Sequence, residues 1–204
     1  MADTASGPVA DGGLTGPAKE MPVTTTSRIQ LAPGGQPWLT VGSWRVDPAH
    51  SHASFVAQVA GRAVHGSLPL TGEVLIAEPV EDSTARLTAW ASAVSTGSPV
   101  LNRLLASPAF LDAGAFPEIS FRSELLAWVP AGWRAVGLLR VKNVDHELAC
   151  VLDLDLDDTR PEAAPRITIS STWVIDPRWI TSQWVPALDR RIVMACSCVL
   201  EQGI

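Results

Sequence analysis

Beyond residue 44, apolar and polar positions alternate with a period of two, the pattern of strands that bury one face and wet the other. Along Thr84–Val94, Ala85, Leu87, Ala89, Ala91 and Ala93 fall on one face. Ile119, Phe121, Ser123 and Leu125 share a face in the next clear segment, and Trp133, Ala135, Gly137, Leu139 and Val141 in the one after. Glu147–Asp157 sets Leu148, Cys150, Leu152, Leu154 and Leu156 against Asp153, Asp155 and Asp157. A Leu face backed by an Asp face means that one side is wet. The Asp row also suggests a cation site, but carboxylates along one strand rarely converge without loop ligands, so a solvated face is the reading adopted. Ile167, Ile169, Ser171, Trp173 and Ile175 alternate in the penultimate segment, and Ile192, Met194, Cys196, Cys198 and Leu200 in the last.

One segment breaks the alternation. Ser98–Ala106 offers an N-cap Ser, Pro99 at the first helical position and apolar residues at helical spacing. This predicts a short helix ending before Pro108. Pro130–Gly132 and Asp158–Pro165 read as turns. Residues 1–37 hold six Gly and five Pro with no surviving period, which predicts a disordered tail, with a strand-like tether near Trp38–Val41. The remainder, 38–204, reads as one domain. About eight strands and one short helix predict an all-β fold, an antiparallel barrel, since closure removes the exposed edges. A barrel of that size is either filled by side chains or holds one small ligand. The Ala-rich inner face of Thr84–Val94 favours the second, because small inward side chains leave volume.

Composition narrows the function. The formal net charge is -6, which argues against a nucleic-acid or anionic-membrane surface binder. No run of apolar residues is long enough for a membrane span, and the first residues lack the basic and apolar regions of a secretory signal, so the expected compartment is the cytoplasm. Three cysteines, at 150, 196 and 198, do not make a disulfide framework, and Cys-x-Cys alone is a weak metal signal. They read as small buried hydrophobes. Eight Trp and no Tyr predict a Trp-rich core or cavity. Trp90, Trp173, Trp179 and Trp184 are candidates to line it, although Trp90 falls opposite the Ala row. Trp179, Ile180, Trp184 and Val185 form an apolar loop patch, read as the barrel mouth or a homodimer interface.

Catalytic motifs are sparse. There is no Gly-x-Ser-x-Gly, Gly-rich phosphate loop or His-Glu-x-x-His. His50 and His52 would share one strand face in a spacing that suits zinc, with His65, Asp47 or His146 as a third ligand. The competing reading is a turn in which the Asp47 carboxylate accepts backbone N–H groups and the His50 imidazole is tied to a neighbour. Ser51 beside His50 and Asp47 supplies the residue types of a triad but no geometry for one.

The stretch Trp44-Arg-Val-Asp47-Pro-Ala-His50-Ser51-His-Ala-Ser-Phe55 resembles the opening signature of the YceI-like family. Val64-His-Gly66 resembles a turn of the same family. Ser107-Pro-Ala-Phe110-Leu-Asp112 followed by Phe116-Pro117-Glu-Ile-Ser-Phe121-Arg-Ser123 is the most specific match, and Gly137–Leu148 follows, with Asn143 where the family usually has Gly. The resemblance spans residues 44–202. It implies a lipocalin-like barrel of about eight strands whose apolar interior holds a polyisoprenoid chain, the tail of a quinone or a prenyl phosphate. Two segments depart from the family pattern. Leu101–Leu105 stands where an Arg-Asp-x-x-Leu run is common, and Ile175–Ile180 where Asn-Arg-x-x-Phe-Gly is common.

The expected function is therefore non-catalytic binding or carriage of a polyisoprenoid or other long-chain lipid, without cofactor or metal. Phe55, Leu87, Ala89, Phe110, Phe116, Phe121 and Leu139 are the expected lining, and His50 and Arg103 the expected contacts near the polar end of the ligand. The alternatives are a filled barrel acting as a structural or interaction module, with Trp173 and Met194 as the plug, and a His-based metal-dependent hydrolase.

Overall fold

The structure is a computed structural model that describes residues 40–129, 132–157, 166–181 and 188–202. The expected tail at 1–37, Trp38 and Leu39 of the tether at Trp38–Val41, both expected turns except Gly132, and Trp184 and Val185 lie outside the described residues, as do the side chains of Leu156 and Asp157.

Among the described residues, nine strands form one antiparallel sheet: β1 (Gly42–Val46), β2 (His52–Val59), β3 (Arg62–Ile76), β4 (Thr84–Trp90), β5 (Glu118–Val129), β6 (Gly132–Val141), β7 (Val144–Asp157), β8 (Arg166–Ile175) and β9 (Leu188–Gln202). Each strand from β2 to β9 pairs with the next in sequence, and β9 pairs back onto β2, which closes the ring. β1 and β2 both pair with β3 on one side and β9 on the other, one below the other. They fill a single place in the wall, so the barrel is eight-stranded and its first strand is interrupted at 47–51.

Side-chain chemistry holds that interruption together. Buried Ser51 accepts a hydrogen bond at Oγ from the Val199 amide at 2.9 Å, and the Asp47 amide donates to Val199 O at 2.8 Å. The Asp47 carboxylate accepts the Ala49 amide at 2.9 Å and pairs with His50 Nδ1 at 2.6 Å. These four residues are a turn device that keeps β1 and β2 in line. Arg166 links the same carboxylate, at 3.7 Å, to Glu201 on β9.

The end of the barrel below this turn is closed by large buried side chains. Trp44, Ile167 and Leu200 are essentially inaccessible to solvent. They come together because Val46 pairs with Leu200, and Leu200 with Ile167, across adjacent strands. Trp44 Nε1 donates to Thr40 O at 2.9 Å, so the largest buried ring leaves no donor unpaired.

The opposite end is closed differently. Helix α1 (Pro99–Ala106) starts at Ser98, whose side chain accepts from the Leu101 amide, with Pro99 in the first turn. Asn102 Oδ1 accepts from both the Thr96 amide and Thr96 Oγ1, at 2.8 and 2.7 Å, and so braces the approach to the helix. No residue of α1 is fully buried. The loop after it is tied to two other segments: Lys142 Nζ donates to Phe110 O at 2.9 Å and Thr181 Oγ1 to Ala109 O at 2.7 Å.

Two expected faces shift. The alternation at Ala85, Leu87 and Ala89 ends with the strand at Trp90, and Ala91–Ala93 turn out of the sheet as a single 3-10 turn. In β5, a bulge between Ser123 and Leu125 changes the register. Ser123 is buried and accepts the Ala85 amide at 2.7 Å, Leu125 is exposed, and Leu126 takes the inward place. The extra residue lets a hydroxyl replace a ladder bond where β4 begins.

Candidate functional site

The inward faces of the barrel enclose a cavity of about 350 Å³. This lies in the lower part of the roughly 300–1,000 Å³ range of small-molecule sites. Its walls come from alternate residues of β2 to β9, including Ala53, Phe55 and Ala57 on β2, Ala85, Leu87 and Ala89 on β4, and Ile192, Met194 and Cys196 on β9. Leu101, Leu104 and Leu105 of α1, with Phe110, Leu111 and Ile180, roof it. No charged side chain is among the described lining residues.

Two features of the wall set the bore. Small residues, Ala53, Ala57, Ala85, Ala89 and Ala135, recur where bulky ones would fill the space. Phe55 faces Gly66 across the β2–β3 ladder, and its ring lies so close that a Cβ at Gly66 would stand 2.2 Å from the ring edge.

Polar atoms at the wall are few. Ser171 Oγ donates to Val151 O at 2.7 Å. Trp173 Nε1 is buried without a hydrogen-bond partner, an arrangement that costs on the order of 1–3 kcal/mol. Cys196 Sγ and Cys198 Sγ lie 3.2 Å apart. Burial pushes the Cys150 thiol above its ordinary value, and the Cys198 contact together with burial does the same to Cys196. Both are neutral thiols at ordinary pH rather than nucleophiles.

Of the expected lining, Phe55, Leu87, Ala89, Phe110, Phe121 and Leu139 stand around the cavity. Phe116 is half-buried in the turn preceding β5 and is not part of the wall. His50 is exposed in the β1–β2 turn, paired with Asp47. Arg103 is exposed on α1, its Nε 3.4 Å from Pro99 O. Neither is among the lining residues. Trp173 and Met194 belong to the wall of an open cavity, and Trp90 is exposed, on the face opposite Ala89. The cavity contacts of the α1 leucines and of Ile180 are not evident from the sequence alone. Their signal was the helical spacing of Leu101, Leu104 and Leu105, which marks an apolar stripe but not what it covers. Among the described residues, no group of three His, Cys, Asp or Glu is placed to hold a metal ion, and no helix is long and apolar enough to cross a membrane.

A closed antiparallel ring of eight strands around an apolar cavity, with one short helix over its end, defines an all-β, lipocalin-like barrel. The chain belongs to the YceI-like domain family, whose profile matches residues 44–178. Three solved structures are similar. The first is Burkholderia cenocepacia BcnA, with 18% identity over 76% of this chain and 98% of that one and a TM-score of 0.65. The second is a polyisoprenoid binding domain from Saccharophagus degradans implicated in plant cell wall breakdown, with 14% identity over 78% and 98% and a TM-score of 0.59. The third is the Campylobacter jejuni YCEI protein, with 14% identity over 69% and 86% and a TM-score of 0.60. No curated protein matches the chain.

Proposed function

We propose that the protein binds an apolar, isoprenoid-like chain in the barrel interior and acts on it by sequestration, without catalysis. The observation that carries this reading is the uncharged cavity of about 350 Å³. An apolar chain entering it leaves water at a gain of about 25 cal/mol per Å² buried, and needs few directed polar contacts. Family membership and the likeness to a domain that binds polyisoprenoid support the same ligand class. The ligand contacts proposed are Phe55, Leu87, Ala89, Phe110, Phe121 and Leu139.

Native mass spectrometry of the purified protein, with solvent extraction of anything retained, tests this. The expected result is a co-purifying prenyl or fatty chain, or stoichiometric uptake of an added isoprenoid quinone. A bare mass that stays bare after incubation with that quinone overturns the reading and moves it to the filled-barrel module.

A further inference from the structure

The two edges of strand β8 differ. Toward β9 it is laddered along its whole length, from Arg166–Glu201 to Ile175–Ile192. Toward β7 the ladder runs only from Asp157–Arg166 to Asp153–Ser170 and stops. Continuing that register sets Leu148–Leu152 opposite Ser171–Ile175, yet among the described residues these two edges share no rung. Five residues at ~3.3 Å each make an unladdered seam about 17 Å long.

The seam is bounded. Below it, Ser171 Oγ reaches Val151 O at 2.7 Å, so a side chain stands in for the next backbone bond. Above it, His146 on β7 stacks on Trp179 in the turn after β8, with ring centroids 4.2 Å apart and an interplanar angle of 13°. Above Ser171 and the exposed Thr172, the lips are apolar on both sides. Cys150 and Trp173 line the cavity within, while Val151 and Val174 are exposed on the outer surface.

We propose that this seam is the lateral portal through which the apolar ligand enters and leaves the barrel, with the His146–Trp179 stack as its clasp. The proposal rests on the lipid-binding reading. Opening the wall at a laddered seam breaks a run of backbone hydrogen bonds, each worth about 1 kcal/mol net. At this seam the described residues form no ladder rung to break. The apolar outer lips lower the cost of holding a hydrocarbon chain halfway through the wall.

The test is a cross-link across the lips. Ala149→Cys and Val174→Cys are introduced with Cys150, Cys196 and Cys198 replaced by alanine, and the pair is bridged by a short bifunctional thiol reagent. Uptake of a ubiquinone with two isoprene units is followed by stopped-flow quenching of tryptophan. The expected result is that bridging slows uptake and release by at least about tenfold while the equilibrium affinity stays within about twofold, as a route rather than a site is blocked. Equal rates before and after bridging overturn the portal and leave the ligand reading standing. No uptake by the unbridged protein overturns both. A second comparison needs no cross-link: Trp179→Ala is expected to speed uptake, and Val100→Ala, at an exposed α1 position outside the cavity lining, to leave it unchanged. The reverse order overturns the portal.

Discussion

The two ends of this barrel are closed by different means. At the β1 end, Trp44, Ile167 and Leu200 are buried completely and an ion-paired turn spans the gap between β1 and β2. At the other end, α1 and the segments after it lie across the opening with no fully buried helical residue, held by single hydrogen bonds from Lys142 and Thr181. The first end is part of the core. The second is a roof over a cavity. Since local stability follows buried contact, the roof opens at lower free energy than the plug. The same polypeptide thus concentrates buried contact at one end and leaves the other as a lightly held cover over the cavity.

That contrast is open to test, beginning where the effect is largest. Trp44→Ala is expected to cost about 3–5 kcal/mol in urea denaturation, as removal of a fully buried aromatic does, whereas Leu104→Ala in the roof is expected to cost less than about 1 kcal/mol. Comparable losses from the two would remove the distinction between the ends. Ala89→Trp places a large ring in the cavity itself. It is expected to abolish quinone uptake at an overpacking cost of about 1–3 kcal/mol, read from parallel binding and unfolding curves, and normal uptake would show that the cavity is not the binding space. Ser51→Ala removes the hydroxyl that the Val199 amide needs, at an expected cost of roughly 1–3 kcal/mol. The same melt should show no change in ligand affinity, since Ser51 lies outside the lining.

The smallest effect is in acid. The hydrogen bond with His50, then the Ala49 amide, then the charge of Arg166 hold the Asp47 carboxyl below its ordinary value of 3.8. A carboxyl lowered by folding contributes stability that is complete above its unfolded value and is lost as pH falls through the folded one. Thermal melts of the protein should therefore weaken below about pH 4, and Asp47→Asn should flatten part of that slope. At the roof, Arg140–Asp145 and Asp176–Arg178 are more exposed pairs, and their removal is expected to leave the melt nearly unchanged.

Much of the wall was legible in the sequence because a strand writes its two faces into every second residue. β6 at Trp133–Val141, β8 at Ile167–Ile175 and β9 at Ile192–Leu200 keep their faces along their length. The Ser98 cap with Pro99 located α1 for an equally local reason. What period two cannot report is a change of register that no Gly or Pro announces. The bulge after Ser123 is of that kind, and it moved Leu125 outward. Nor does alternation report position along the barrel axis. Phe116 and Phe121 look alike in the sequence, but a turn closed by the Phe116 amide on Asp112 O keeps the first out of the wall. The sequence suggests His50 and Arg103 as contacts near the polar end of a ligand. The side of the wall on which each stands depends on the Asp47 pairing and on helix orientation, both of which are tertiary.

The contact between Phe55 and Gly66 bears on selectivity. A phenyl ring projecting from β2 would narrow the passage, but here it lies flat against β3, because the facing residue has no side chain to push it off. A single methyl added at position 66 would push the ring inward and narrow the cavity without altering any other lining residue. The width of the cavity at that level is thus governed by a residue that contributes no side chain to the wall.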